Sequence, residues 1–247
     1  MRRVLSIFFV LSVFVAASGL LYAQSASHAI FQVSTWHALK QGVYEGETTF
    51  EELKKYGDFG LGTLNGLDGE MIALDSEFFQ IKADGRVYSI AADDRKTPFA
   101  VVTFFKPDKK LSLPRVSNMK ELQENLDRML TPSDKPLAIR IGGDFKYVKV
   151  RSVPRQEKPY PGIEEALKHQ TVFELTDVRG TLVGFHFPKY MEGMNVPGYH
   201  FHFITADKKA GGHTLDCSTA GANVDVASIS TISVSFLEDG QDAGSSR

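Results

Sequence analysis

GYHFHFITADKKAGGHTLDC, residues 198–217, decides how the chain is read. Aromatic and histidine residues alternate from Tyr199 to Phe203, the period of a β-strand, so His200 and His202 point to one face. Asp207, two lysines and the Gly211–Gly212 pair predict a turn, and His213 opens the return strand. A hairpin of this length brings His213 back beside the first two imidazoles. The spacing is His-x-His-x10-His, and three of the chain's seven histidines fall within it. Three neutral nitrogens with a fourth position left open is the donor set of a catalytic zinc site. A structural site is more often closed by cysteines, and Cys217 is the only one here. The set also accepts other divalent ions. A cupin is the competing barrel with His-x-His, but it carries a glutamate four residues on, where this chain has Ala206. His28, His37, His169 and His186 stand apart and read as ordinary surface or core residues.

Outward from the hairpin, short β-type runs dominate. MIALD, EFFQIK and RVYSI are strands, with ADGR as the turn between the last two. FAVVTFF (99–105) is apolar on both faces and reads as a buried strand. LAIRIGGDFKYVKVRSV (137–153) is read as two strands around a Gly-Gly-Asp turn. TVFELTDVRGTLVGFHFP is a further β segment. VDVASISTISVSF (224–236) alternates and is read as one half-exposed strand. Helices are few. FEELKKY (50–56) follows Thr48 and Thr49, either of which can cap it. NMKELQENLDRML (118–130) has apolar residues at helical spacing, and Pro132 stops it. RQEKPYPGIEEALKHQ is a proline-ordered loop entering a short helix. The Gly-rich GDFGLGTLNG lacks a following helix and is not a dinucleotide loop. The expected class is α+β, strand-rich mixed sheets in two closely packed β-rich regions with few helices. A soft boundary is expected near 155–165, where prolines cluster, as a division between two sheets.

Composition narrows the function classes. MRRVLSIFFVLSVFVAASGLLYAQS places two arginines before an uncharged apolar run and small residues, the layout of a signal peptide over residues 1–23. The alternative is a single membrane anchor, since the run is nearly long enough to span a bilayer. The expected location is secreted or periplasmic, with no membrane attachment after cleavage. With 28 basic and 30 acidic residues, no basic block, and Arg2 and Arg3 in the leader, the sequence argues against a nucleic-acid partner. A lone cysteine permits no intrachain disulfide, so the core must supply stability. Cys217 reads as a small buried residue. The last ten residues, 238–247, read as a disordered tail.

Five ordered blocks then carry a resemblance: WHALKQGVYEGETTFEEL (36–53), GDFGLGTLNGLDGEMIALD (57–75), DDRKTPFAVVTFF (93–105), YVKVRSVPRQEKPYPG (147–162) and GYHFHFITADKKAGGHTLD (198–216). Over nearly all of residues 24–237 the chain resembles the bacterial α-acetolactate decarboxylases. The resemblance implies conversion of 2-acetolactate to acetoin and carbon dioxide, with Zn2+ held by His200, His202 and His213. It implies catalytic roles for Glu70 of LDGE and Arg151 of KVRSV, and it places Thr63 of GLGT in the site. It implies a mixed α/β fold of two packed β-rich regions and a homodimer. In that family a glutamate from a long C-terminal tail also reaches the metal. Glu238 is the nearest acidic candidate here, with a water as the alternative.

The implied chemistry suits these residue types. Acetolactate carries its carboxylate on a carbon that bears a hydroxyl and adjoins a ketone. Neutral imidazoles leave an ion its full charge for the developing enediolate. Glu70 is the first candidate for proton carrier. Arg151 is the candidate for holding charge, because arginine stays protonated and presents a fork of donors. Arg140 is a lesser candidate in the same region. Two other readings stay open: a non-catalytic exported β-protein that binds a metal or small ligand, and a cupin-like metal oxidoreductase.

Overall fold

The computed structural model describes residues 28–91, 95–130 and 134–237; the expected signal peptide and the 238–247 tail lie outside these. In chain order the strands are β1 (Ala29–Val33), β2 (Thr48–Thr49), β3 (Phe59–Thr63), β4 (Glu70–Leu74), β5 (Glu77–Ile81), β6 (Val87–Ser89), β7 (Lys96–Thr97), β8 (Ala100–Thr103) and β9 (Lys109–Leu113). Then follow β10 (Leu137–Ser152), β11 (Thr171–Phe187), β12 (Gly198–Thr205), β13 (Gly211–Ser228) and β14 (Thr231–Ser235). Four short helices interleave: α1 (Trp36–Lys40), α2 (Phe50–Leu53), α3 (Met119–Met129) and α4 (Ile163–Ala166).

The strands build two main sheets. The first has seven strands in the order β14-β1-β8-β3-β4-β5-β6, and the second has five in the order β10-β11-β12-β13-β9. β10 also pairs with β13, so four long strands of the second sheet close on themselves. One apolar cluster joins the two sheets. Phe59, Leu61 and Val101 of the first meet Val183, Phe185 and Ile204 of the second, all buried. Phe59 and Phe185 pack edge to face with ring centroids 6.0 Å apart, a preferred aromatic geometry. A second cluster lies on the other face of β12. Phe201 and Phe203 pack there with Leu122 and Leu126 of α3. Alternation thus divides β12 between two environments, aromatics toward α3 and histidines toward the first sheet.

The expected class holds: strands dominate, and two β-rich layers share a core. One cap expectation held: Thr49 accepts from Glu52 N at the start of α2. Asn118, expected inside its helix, instead caps α3 by accepting from Glu121 N. α2 is shorter than its sequence pattern, ending at Leu53. Pro132 lies outside the described residues.

Three expectations need correction. The Gly142–Gly143–Asp144 segment is not a turn. β10 runs through it as a single strand of 16 residues, with register shifts against β13 between Gly143 and Phe145. Both flanks keep the same neighbours, β11 and β13, so no reversal occurs. The small residues let the strand bend, and a Cβ at Gly143 would stand 3.1 Å from that of Ala222. Residues 224–236 are not one strand. The strand breaks at Ile229 and Ser230, and the chain passes from β13 in the second sheet to β14 in the first. Ile229 N is held by Pro136 O and Ser230 N by His28 O at that crossing. Finally, the proline-rich 155–165 segment does not divide the sheets, because it joins β10 to β11 within the second. The main crossing between sheets lies between β8 and β9.

Cys217 is buried on β13, and burial pushes its thiol up to about 12. Negligible thiolate is therefore present at pH 8. The native protein should label slowly with an aromatic disulfide reagent and rapidly once unfolded in urea. Fast stoichiometric labelling of the native chain would contradict this packing. Among the described residues no helix is long and apolar enough to cross a membrane.

Candidate active site

The hairpin of β12 and β13 does what the spacing predicts. His202 pairs directly with His213 across the two strands, and His200 lies two residues before His202 on the same face. The three imidazole rings have centroid separations of 5.1, 4.9 and 5.3 Å. One nitrogen from each lies within 4.8 Å of the others. Gly212, just before His213, has φ +146° and a Cβ there would stand 2.5 Å from Arg151 O, so the close pass of β13 over β10 requires glycine.

The cluster faces β4 of the first sheet. His202 Nδ1 donates to Met71 O at 2.9 Å, since a carbonyl only accepts. That fixes the tautomer and leaves the Nε2 lone pair directed into the cluster. Its nearest carboxylate oxygen is Glu70 Oε2, at 3.3 Å. The other oxygen of Glu70 accepts from Arg151 Nη1 at 2.9 Å. Arg151 comes from β10, where it sits directly opposite His213. The two sheets therefore each supply part of one constellation. β4 gives Glu70, β10 gives Arg151, and β12 and β13 give the histidines.

Electrostatics follow from burial. Glu70 is 7% exposed. Burial raises its carboxyl above the ordinary value, and Arg151 pulls in the opposite direction without overcoming it. Burial, aided by the Arg151 charge, holds His200 down to about 3. His202 and His213 are likewise held well below the usual imidazole range, burial again being the main cause. All three are neutral at pH 7 and offer lone pairs rather than protons.

These residues fit a divalent ion. His200 Nε2 and His213 Nδ1 face each other at 3.1 Å. Two nitrogens each about 2.0–2.1 Å from one ion, at a tetrahedral angle, lie about 3.3 Å apart. His200 Nδ1 is buried without a hydrogen-bond partner, an arrangement that costs free energy unless the ring is engaged otherwise. A hydrogen bond such as that from His202 to Met71 O is the kind that orients an imidazole toward an ion.

The other sequence candidates are placed as follows. Thr63 pairs with Glu70 across β3 and β4, and its buried hydroxyl donates to Gly69 O at 2.7 Å. It holds the turn that presents Glu70. Gly69 has φ +79°, and a Cβ there would stand 2.2 Å from Ile81 O, so the residue before Glu70 must be glycine. Arg140 is not in the constellation. Its fork meets Asp75, in the turn between β4 and β5 of the first sheet, at 2.8 and 3.3 Å. Glu238 lies outside the described residues. The lone histidines behave as read. His28 Nδ1 meets Ser228 O at 2.8 Å, His37 and His169 are exposed, and His186 packs on Tyr199. A surface hollow of about 770 Å³ between Arg140, Arg179 and Asn223 contains none of the constellation. Sequence reasoning missed Met71, because a backbone carbonyl leaves no signature in residue type.

Comparison with known proteins agrees with this geometry. A family model described as Alpha-acetolactate decarboxylase matches residues 30–242. The alpha-acetolactate decarboxylase of Methanosarcina mazei is 48% identical over 209 residues, covering 84% of this chain and 72% of that one. That of Methylococcus capsulatus is 49% identical over 199 residues, covering 81% and 76%. The crystal structure of alpha-acetolactate decarboxylase from Bacillus subtilis strain 168 superposes with a TM-score of 0.82 at 39% identity, covering 85% of this chain and 89% of that one. With the match running from β1 past β14, through both sheets and every strand that supplies the constellation, the chain belongs to the alpha-acetolactate decarboxylase family.

Proposed function

We propose that this protein is an exported, zinc-dependent enzyme that converts 2-acetolactate to acetoin and carbon dioxide. One observation carries the reading: a buried Arg151–Glu70 pair stands against three converging neutral imidazoles. His200, His202 and His213 would hold the ion. A divalent ion there supplies Lewis acidity toward the substrate's hydroxyl and ketone oxygens.

The protein's own groups handle the remaining chemistry. The carbon–carboxylate bond breaks, its electron pair moves toward the ketone, and carbon dioxide leaves an enediolate. One proton must then reach the carbon that lost the carboxylate. Glu70 is placed to deliver it, and burial favours the protonated form that such a donor needs. Water afterwards restores the proton to Glu70, so each turnover consumes one proton from solvent. Arg151 spends one N–H on Glu70 and keeps further donors for an oxyanion. Thr63 keeps the Gly69 turn, and with it Glu70, in register. Because Glu70 approaches from one side only, protonation should be confined to one face and acetoin should form as one enantiomer.

The direct test is carbon dioxide release by the purified chain given 2-acetolactate. Zinc without turnover would favour the non-catalytic binding reading, and oxygen uptake with iron the oxidoreductase reading. The export claim rests on the Arg2–Arg3, apolar, small-residue order of the leader. N-terminal mass analysis should find a mature start after Ala23 or within a few residues of it; an intact Met1 species held in the membrane would contradict export by cleavage. A homodimer is proposed on family grounds, and sedimentation at micromolar concentration tests it.

A further inference from the structure

Three consecutive residues at the end of β10 reach across the seam between the sheets. Arg151 Nη1 donates to Glu70 Oε1 at 2.9 Å, Ser152 Oγ donates to Ile81 O at 2.8 Å, and Val153 O accepts from Gly69 N at 3.0 Å. Their three partners are themselves neighbours. Gly69 precedes Glu70, and Ile81 is the residue of β5 that pairs with Glu70. Ser152 is fully buried. It is the one of the three whose side chain is a neutral donor to backbone, and it bonds a strand 71 positions away.

We propose that Ser152 is a positioning residue for decarboxylation, fixing Arg151 against Glu70 by anchoring the end of β10 to β5. The inference rests on the functional reading above. Its physical basis is that Arg151 and Glu70 belong to different sheets, so their spacing is set by whatever joins the sheets beside them. Val153 O ties the chain to Gly69, the residue before Glu70, and Ser152 ties it to Ile81, the residue opposite Glu70. Without the hydroxyl, the end of β10 keeps only one of its two backbone tethers there. A displacement of about 1 Å at a reacting group can cost about 10²-fold in rate, so a partial loosening should still be measurable.

The experiment is a double-mutant cycle with 2-acetolactate. Ser152→Ala and Ser152→Thr are measured in the wild-type chain and in Arg151→Lys. Ser152→Ala should lower kcat about tenfold while KM changes by less than about threefold, since orientation and not binding is lost. Ser152→Thr, which keeps the hydroxyl, should recover about half or more of the activity. In the Arg151→Lys background the alanine change should cost less than about threefold, because the two residues act on one contact. Equal losses in both backgrounds, or a kcat in Ser152→Ala within about twofold of wild type, would overturn the positioning role. Should Ser152→Ala fail to fold, Ser152→Cys, close in volume but a weak donor, takes its place in the cycle. An independent readout is the guanidinium NMR signal of Arg151, assigned by its loss in Arg151→Lys. Its exchange protection should fall in Ser152→Ala. Unchanged protection overturns the proposal even if the wild-type chain has no turnover, in which case the functional reading fails separately.

Discussion

His200→Ala, His202→Ala and His213→Ala should each lose bound zinc and at least about 10³-fold in turnover, the loss expected when Lewis-acid stabilisation of the developing charge disappears. Two imidazoles alone hold an ion poorly against bulk water. The three variants should differ in stability. His202 is 1% exposed and its Nδ1 is the side-chain donor to Met71 O. Removing it leaves that carbonyl short of a partner, which typically costs about 1–3 kcal/mol. His200 and His213 are less buried and should unfold closer to the wild-type temperature. All three should keep a β-type circular dichroism spectrum, because Phe201, Phe203, Ile204 and Val224 drive the packing of these strands. Metal content by plasma mass spectrometry, with thermal melts, checks each point. Stoichiometric zinc in His213→Ala would remove His213 from the ligand set.

Glu70→Gln should keep the shape and the metal but lose about 10²–10⁴-fold in turnover, the usual worth of a positioned proton donor. Glutamine is nearly isosteric, and its carbonyl can still accept from Arg151. It cannot pass a proton from solvent to carbon. The enediolate then waits for water, which reaches both faces, so the residual acetoin should lose optical purity. Glutamine is neutral, the form that burial already favours for the Glu70 carboxyl, so the variant should melt close to the wild-type temperature. Arg151→Lys should fall about 10–10²-fold, because a point charge cannot reproduce a planar fork. Chiral chromatography of acetoin from Glu70→Gln separates proton delivery from mere packing. Wild-type rate and optical purity in that variant would exclude Glu70 from proton transfer.

The histidine cluster was legible because its information is local. A period of two sets His200 beside His202, and one hairpin returns His213, so the whole cluster lies within one pair of strands. The cap at Thr49, one of two threonine candidates, was legible for the same reason. The Glu70–Arg151 pair was not. Its members are 81 positions apart and belong to different sheets, and only the resemblance joined them. Gly142–Gly143 was misread because glycine serves a bend within a strand as well as a reversal. The split of 224–236 escaped notice because Ile229 and Ser230 continue the alternation while the backbone changes sheets. Arg140 shows the converse: residue type and neighbourhood suggested a role, yet Asp75 on a β-turn 65 positions earlier claims its fork.

The most direct test is turnover of 2-acetolactate by one preparation, stripped with a chelator and then titrated with zinc. The account predicts carbon dioxide release at the blank rate when stripped. It predicts recovery that saturates at one zinc per chain and yields one acetoin for each carbon dioxide. Full turnover in the stripped, metal-free chain would contradict a centre built on His200, His202 and His213.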